Sequence, residues 1–76
     1  MYVTIFKVDP NEYDLEIVKE AFKTINQRDK TFKYGITPNG TVVIFSKTEE
    51  LAKKRGEWVK RTVLPEAEYK IKRLWR

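Results

Sequence analysis

The sequence predicts an α+β fold, a four-stranded antiparallel sheet with two helices on one face, in a single domain of residues 1–76. Three observations carry this prediction. A β-hairpin pattern occupies residues 30–47, an amphipathic helical pattern flanks it on each side, and a further strand pattern lies beyond each helix. A chain of 76 residues has the length of one small domain.

The central hairpin is predicted from alternation and from turn chemistry. Apolar and polar residues alternate over residues 31–36, as in a strand with one buried face. Residues 41–45 form a β-branched and aromatic run that is typical of a central strand. The Thr-Pro-Asn-Gly sequence of residues 37–40 supplies the turn, and we expect Gly40 to adopt a positive φ.

The first strand and the first helix are predicted from the pattern that precedes the hairpin. Residues 2–8 carry apolar side chains at both alternating positions, as expected of a central strand. An apolar stripe at helical spacing follows and ends near Asn26. Asp9, followed by proline, fits a helix start, and Asn11 and Asp14 are alternative caps.

The second helix is predicted to begin with a capping box at Ser46 and to end at Pro65. Gly56 lies inside this helix, where glycine costs about 1 kcal/mol relative to alanine. Close approach to the sheet, or room for the neighbouring tryptophan, would explain it. The last strand is predicted over residues 67–76, with a break in its alternation near the end.

The element order β-α-β-β-α-β corresponds to a ferredoxin-like arrangement, in which strands one and three are central. Right-handed crossovers leave few other topologies. The predicted helix-facing sheet residues are Val3, Ile5, Phe32, Tyr34, Ile36, Val42, Ile44, Tyr69 and Ile71. The predicted open-face residues are Tyr2, Thr4, Phe6, Lys33, Thr41, Val43, Phe45, Lys70 and Lys72. A one-residue error in the phase of a strand would exchange its two sets.

The charge of the chain is unevenly distributed. The formal net charge is +5. Residues 1–52 hold seven basic and eight acidic residues, a net charge of −1, whereas residues 53–76 hold nine basic and three acidic residues, a net charge of +6. A concentrated positive region attracts polyanions, so nucleic acid is the first partner to consider. Solubility alone is the alternative explanation of the excess.

The predicted open face combines aromatic and basic side chains. Such a face can stack unpaired bases while ammonium groups contact phosphates. We therefore predict a small nucleic-acid-binding or nucleic-acid-associated module. Its candidate binding residues, for nucleic acid or another partner, are Tyr2, Phe6, Lys33, Phe45, Lys70, Lys72, Arg73 and Arg76.

The element order is also that of the RNA recognition motif, whose third strand has a characteristic aromatic consensus. In the corresponding run, Gly40 and Ile44 match that consensus. Thr41, Val43 and Ser46 stand where aromatic residues belong. The motif is therefore absent, and no family residues are transferred to this chain.

Two alternative hypotheses use the same face. The chain could be a small regulator or inhibitor that binds a protein through the apolar part of the face, and its small size without catalytic residues suggests a viral or mobile-element origin. It could also be a homodimeric structural module that buries two open faces against each other. Independently of either hypothesis, Lys70 and Lys72 could be edge-strand guards against aggregation instead of binding residues.

Composition argues against several other classes. The chain has no cysteine and no histidine, which removes disulfides, the usual zinc ligands and histidine-based acid–base or nucleophilic catalysis. The three glycines do not form a nucleotide-binding loop. We therefore expect no enzyme activity, no metal and no cofactor. The sequence also indicates no membrane span and no signal peptide, so a cytoplasmic location is the default expectation.

Overall fold

The computed structural model describes residues 1–74 and contains six elements in the predicted order. Their bounds are β1 (Tyr2–Lys7), α1 (Leu15–Arg28), β2 (Lys33–Ile36), β3 (Thr41–Ser46), α2 (Glu49–Thr62) and β4 (Tyr69–Arg73). All strand pairs are antiparallel, and the sheet order is β2-β3-β1-β4. This order confirms the ferredoxin-like α+β fold, with β1 and β3 in the centre.

Both helices pack on the same face of the sheet, as predicted. Val18 and Phe22 of α1 and Val59 of α2 belong to one buried cluster with Phe6, Val42 and Ile44 of the central strands. The rings of Phe32 and Tyr34 extend this cluster under α1, each in contact with Phe22. Within residues 1–74, neither helix has the length and apolar composition required to cross a membrane.

The first helix begins later than Asp9. The Asp14 carboxylate accepts a hydrogen bond from the Glu16 amide at 2.9 Å and caps α1. Asp9 instead accepts from the Asn11 amide at 2.9 Å and forms a separate turn. The start at Asp9 was therefore wrong, and the alternative cap at Asp14 is confirmed. The helix continues to Arg28, two residues beyond the predicted end.

The second helix is capped by Thr48, whose hydroxyl accepts from the Leu51 amide at 3.1 Å. The predicted capping box at Ser46 was wrong because Ser46 is the last residue of β3, where it pairs with Tyr2. Pairing of β3 with β1 thus takes precedence over the local capping pattern at Ser46. The helix itself ends at Thr62, before Pro65.

Two glycines lie where a side chain would collide with its surroundings. Gly40 has a φ of 95°, as predicted for the hairpin turn, and its carbonyl accepts from the Val8 amide at 2.7 Å. A Cβ at Gly56 would lie 2.8 Å from Cε1 of Tyr69 and 3.1 Å from Cγ2 of Thr4. Close approach of α2 to the sheet therefore explains Gly56.

The phase predicted for β1 was wrong by one residue. Phe6 pairs with Val42 and with Tyr69 and is fully buried, and the Thr4 hydroxyl donates to the Ala52 carbonyl of α2 at 3.1 Å. Tyr2, Thr4 and Phe6 therefore face the helices, and Val3 and Ile5 face the open side. The phases predicted for β2, β3 and β4 agree with the structure.

Candidate nucleic-acid interface

The side of the sheet that faces away from the helices is called here the open sheet face. Residues directly opposite each other on neighbouring strands share a face, so the strand registers define its composition. The open sheet face consists of Val3, Ile5, Lys7, Lys33, Gly35, Thr41, Val43, Phe45, Lys70 and Lys72.

One row of cross-strand partners has a cation at each edge of the sheet. Lys33 of β2 pairs with Phe45 of β3, Phe45 pairs with Val3 of β1, and Val3 pairs with Lys72 of β4. We call these four residues the first row. The next row, Gly35–Val43–Ile5–Lys70, has a lysine at the β4 edge only. The face therefore has an apolar centre between basic edges.

The apolar centre is partly covered by its own neighbours. Val3 is only 5% exposed although it faces away from both helices. Its cross-strand partners are Phe45 and Lys72, and the long aliphatic stem of a lysine can cover an adjacent apolar residue while its ammonium group stays in water. Ile5, Val43 and Phe45 remain partly exposed.

All charged side chains on the open sheet face are basic. None of the eleven acidic residues of the chain lies in a strand. The ion pairs within residues 1–74 involve Lys19, Arg55 and Lys60, so none of the four open-face lysines pairs with a carboxylate there. Lys7 contacts the Thr41 hydroxyl at 3.4 Å. These ammonium groups are thus available to an external anion.

The two ends of the face differ in charge. At the end near Lys7 a groove of about 620 Å³ is lined by Glu66 and Glu68 as well as by Lys7, Lys70 and Lys72. At the other end, near Phe45, the lining side chains include several cations and no carboxylate. A polyanion is therefore favoured at the Phe45 end.

The structure brings four of the predicted binding residues together and separates the others. Lys33, Phe45, Lys70 and Lys72 share the open sheet face, as predicted. The remaining predicted residues are Tyr2, Phe6, Arg73 and Arg76.

Tyr2 and Phe6 are on the opposite side of the sheet, and Phe6 is fully buried in the core, so their assignment to the open face was wrong. Arg73 is exposed but pairs with Tyr2, which places it on the helix-facing side of the β4 edge. Arg76 lies outside the described residues.

Sequence reasoning missed Val3, Ile5 and Lys7 as members of the face. A signal was present, because Lys7 alternates in phase with Val3 and Ile5 and a lysine at the end of a strand belongs on the solvated side. The apolar character of both sides of β1 obscured it.

The helix-facing side carries a polar contact between α2 and β4. The Tyr69 hydroxyl donates to the Glu57 carboxylate at 2.5 Å. This hydrogen bond, followed by burial and by the negative charge of Glu57, raises the pKa of Tyr69 to about 12. Tyr69 also packs on Phe6, with ring centroids 5.3 Å apart. The contact thus joins helix, edge strand and core.

The helix side also exposes two large apolar side chains. Ile17 of α1 is 68% exposed and Trp58 of α2 is 42% exposed. Trp58 borders a groove of about 250 Å³ between the helices, which also includes Ile25 and Phe32. This groove has less volume than either end of the open sheet face and lacks a row of cations.

Comparisons of the chain with family models, with curated proteins and with solved structures found no match. Among residues 1–74, no three carboxylates are grouped so that they could hold a metal ion. The function of the open sheet face is therefore inferred from its own geometry and charge.

Proposed function

We propose that the protein is a binding module, without a catalytic role, that binds single-stranded nucleic acid on the open sheet face. The observation that carries the proposal is the first row, in which Lys33 and Lys72 flank Phe45 and Val3. Four neighbouring strands span about 14 Å, since adjacent strands lie about 4.8 Å apart. A base can stack on Phe45 while the two edge lysines contact phosphates on either side of it.

A single strand fits this face better than a duplex. The major groove of a duplex admits a helix or a two-stranded ribbon, whereas this face is four strands wide. The bases of a duplex are also stacked inside, where they could not use the apolar centre. Because Phe45 is the one aromatic side chain that residues 1–74 place on the open sheet face, we expect affinity to come mainly from phosphates, with little sequence preference.

Binding of labelled oligonucleotides at two salt concentrations tests the proposal. We expect Lys33→Gln with Lys72→Gln to weaken binding and to reduce the slope of log K against log salt by about 1.4, since each single-strand phosphate contact contributes about 0.7. Lys19→Gln with Lys23→Gln, on the exposed side of α1, removes the same charge and should have little effect. Equal losses in both double variants, or no loss in the first, would contradict the proposal.

A protein with an acidic rim is a second candidate partner. Three of the four central side chains of the face are aliphatic, namely Val3, Ile5 and Val43, and these pack well in protein interfaces but add little base stacking. Phe45→Leu separates the candidates because it keeps the apolar contact and removes the aromatic ring. Nucleic-acid affinity should fall several-fold in this variant. A protein partner should still co-purify in a stoichiometric amount and be lost only with Phe45→Ala.

The charge of the face argues against a homodimer formed through it. Two copies packed face to face would bring together four lysines from each, and like charges across an interface are unfavourable. We therefore expect the sedimentation mass of a monomer at high concentration.

A further inference from the structure

A basic groove of about 490 Å³ lies at the end of the sheet where β2 begins and β3 ends. We call it the end groove. Its cations come from three separate segments: Lys30 and Lys33 before and in β2, Lys47 after β3, and Arg55 in α2. Phe45 and Leu51 contribute apolar surface, and no carboxylate lines it. Its volume is within the range of ligand sites.

Arg55 holds the wall of the end groove in place. Its guanidinium donates to the Phe45 carbonyl at 3.1 Å and to the Thr31 hydroxyl at 3.0 Å, and lies 3.6 Å from the Asp29 carboxylate. It also makes a cation–π contact with the Phe32 ring, 5.4 Å from the centroid. These contacts occupy Arg55 within the protein, so the lysines remain to contact a ligand.

Asp29 is the carboxylate next to this wall, and it is also engaged within the protein. The Thr31 hydroxyl donates to it at 2.6 Å and the Thr31 amide at 3.0 Å. These hydrogen bonds, together with the charge of Arg55, hold the pKa of Asp29 below its ordinary value. Asp29 is therefore hydrogen-bonded to Thr31 and paired with Arg55, and it does not line the end groove.

The end groove is continuous with the open sheet face. Phe45 and Lys33 belong both to the first row and to the lining of the groove. A strand whose base stacks on Phe45 therefore reaches the end groove within its next nucleotides. In the other direction it would meet Glu66 and Glu68 beside the lysines of that groove, whereas no carboxylate lines the end groove. The charges on the two sides of Phe45 thus favour one path.

We propose that the end groove binds backbone phosphates of the same nucleic-acid strand, beyond the nucleotide on Phe45, through Lys30 and Lys47. This inference rests on the proposed function and extends it. The footprint runs from the first row around the end of the sheet, and it does not run past Glu66 and Glu68. The bound groups are phosphodiester anions, and the apolar floor of Phe45 and Leu51 packs against the sugar or base between them.

Affinity as a function of oligonucleotide length tests the inference. Oligothymidylates of about 4 to 16 nucleotides cover the footprints common for small single-strand-binding domains. Lys30→Gln with Lys47→Gln should leave the affinity for the shortest binding oligomer unchanged. The same variant should weaken the longer ones and lower their salt slope by about 1.4. Both lysines are exposed, so folding should be preserved, and Lys19→Gln with Lys23→Gln is the charge-matched control.

Three results would overturn the inference. An unchanged affinity for long oligomers in the Lys30/Lys47 variant would show that the end groove does not bind nucleic acid. The proposal for the open sheet face would still hold if the Lys33/Lys72 variant loses binding. An equal loss at every length places the groove lysines in the primary site rather than in an extension. Failure of the unmodified protein to bind any oligomer at low salt overturns the proposed function, and the end groove with it.

Discussion

Phe6 and Val42 are direct cross-strand partners between β1 and β3, and both are fully buried beneath the helices. Phe6→Ala should lower the free energy of unfolding by about 3–5 kcal/mol, because it removes a core ring and leaves a cavity. Phe45→Ala, on the open sheet face where the ring is only partly buried, should cost about 1–2 kcal/mol. Urea denaturation measures both. Equal losses would contradict the assignment of Phe6 to the core and Phe45 to the surface.

The sequence predicts the phases of β2 and β4 well because lysines mark the solvated side of both strands, and the hairpin turn carries the phase of β2 over to β3. Lys33, Lys70 and Lys72 are exposed and alternate with partly buried tyrosine and isoleucine side chains. In β1, both alternating sets are largely apolar, and Lys7 at the end of the strand is the one charged marker of its solvated side. The phase is determined by tertiary contacts, namely Thr4 bonded to α2 and Phe6 packed against Tyr69.

Helix starts were uncertain for a similar reason. Asp9 and Asp14, and likewise Ser46 and Thr48, all have side chains suited to capping. Strand pairing excludes Ser46, whereas the carboxylate of Asp9 is engaged in a separate turn. The end groove could not be predicted from the sequence because its cations come from three segments that are separated along the chain. Their proximity follows from the fold alone.

Gly56→Ala tests the close approach of α2 to the sheet. Alanine favours a helix by about 1 kcal/mol over glycine. Its Cβ would nevertheless lie 2.8 Å from the Tyr69 ring, so the variant should lose about 1–3 kcal/mol of unfolding free energy. Adding Gly56→Ala to a Tyr69→Ala background should cost less. Chemical denaturation of this double-mutant cycle measures the coupling, and a coupling of zero would show that Tyr69 does not oppose the new methyl group.

The hydrogen bond from Tyr69 to Glu57 predicts a loss of stability at alkaline pH. The folded-state pKa of about 12 lies above the ordinary value of 10.0, because the phenol donates to a carboxylate. The resulting stabilisation is fully present below pH 10 and is lost as the pH rises towards 12. Denaturation across this range should therefore show a steeper fall for the unmodified protein than for Tyr69→Phe.

Glu57→Gln tests whether the hydrogen bond to Glu57 is what raises the pKa of Tyr69. Removal of the carboxylate should return the pKa of Tyr69 towards its ordinary value, as followed by the ultraviolet absorbance of the tyrosinate. Identical pH dependence of stability in the unmodified protein and Tyr69→Phe, or an unchanged titration in Glu57→Gln, would exclude the hydrogen bond as the cause.

Arg55→Lys tests whether a planar guanidinium is required at the end groove. Lysine cannot bridge the Phe45 carbonyl and the Thr31 hydroxyl together as the guanidinium does. We expect a loss of about 1–3 kcal/mol in unfolding free energy, measured by thermal or urea denaturation. Arg61→Lys, on the exposed side of α2, is the matched control and should be neutral. A loss no larger than that of the control would rule out the proposed role of Arg55.

The most direct test of the central claim is to map the bound oligonucleotide on the folded protein by nuclear magnetic resonance. Isotope-labelled protein is titrated with a single-stranded oligothymidylate while the backbone amides are followed. Nucleic-acid binding on the open sheet face predicts the largest shifts at Lys33, Phe45, Val3 and Lys72, with little change on the helix side. Shifts centred on Trp58, or no shifts at low salt, would contradict it.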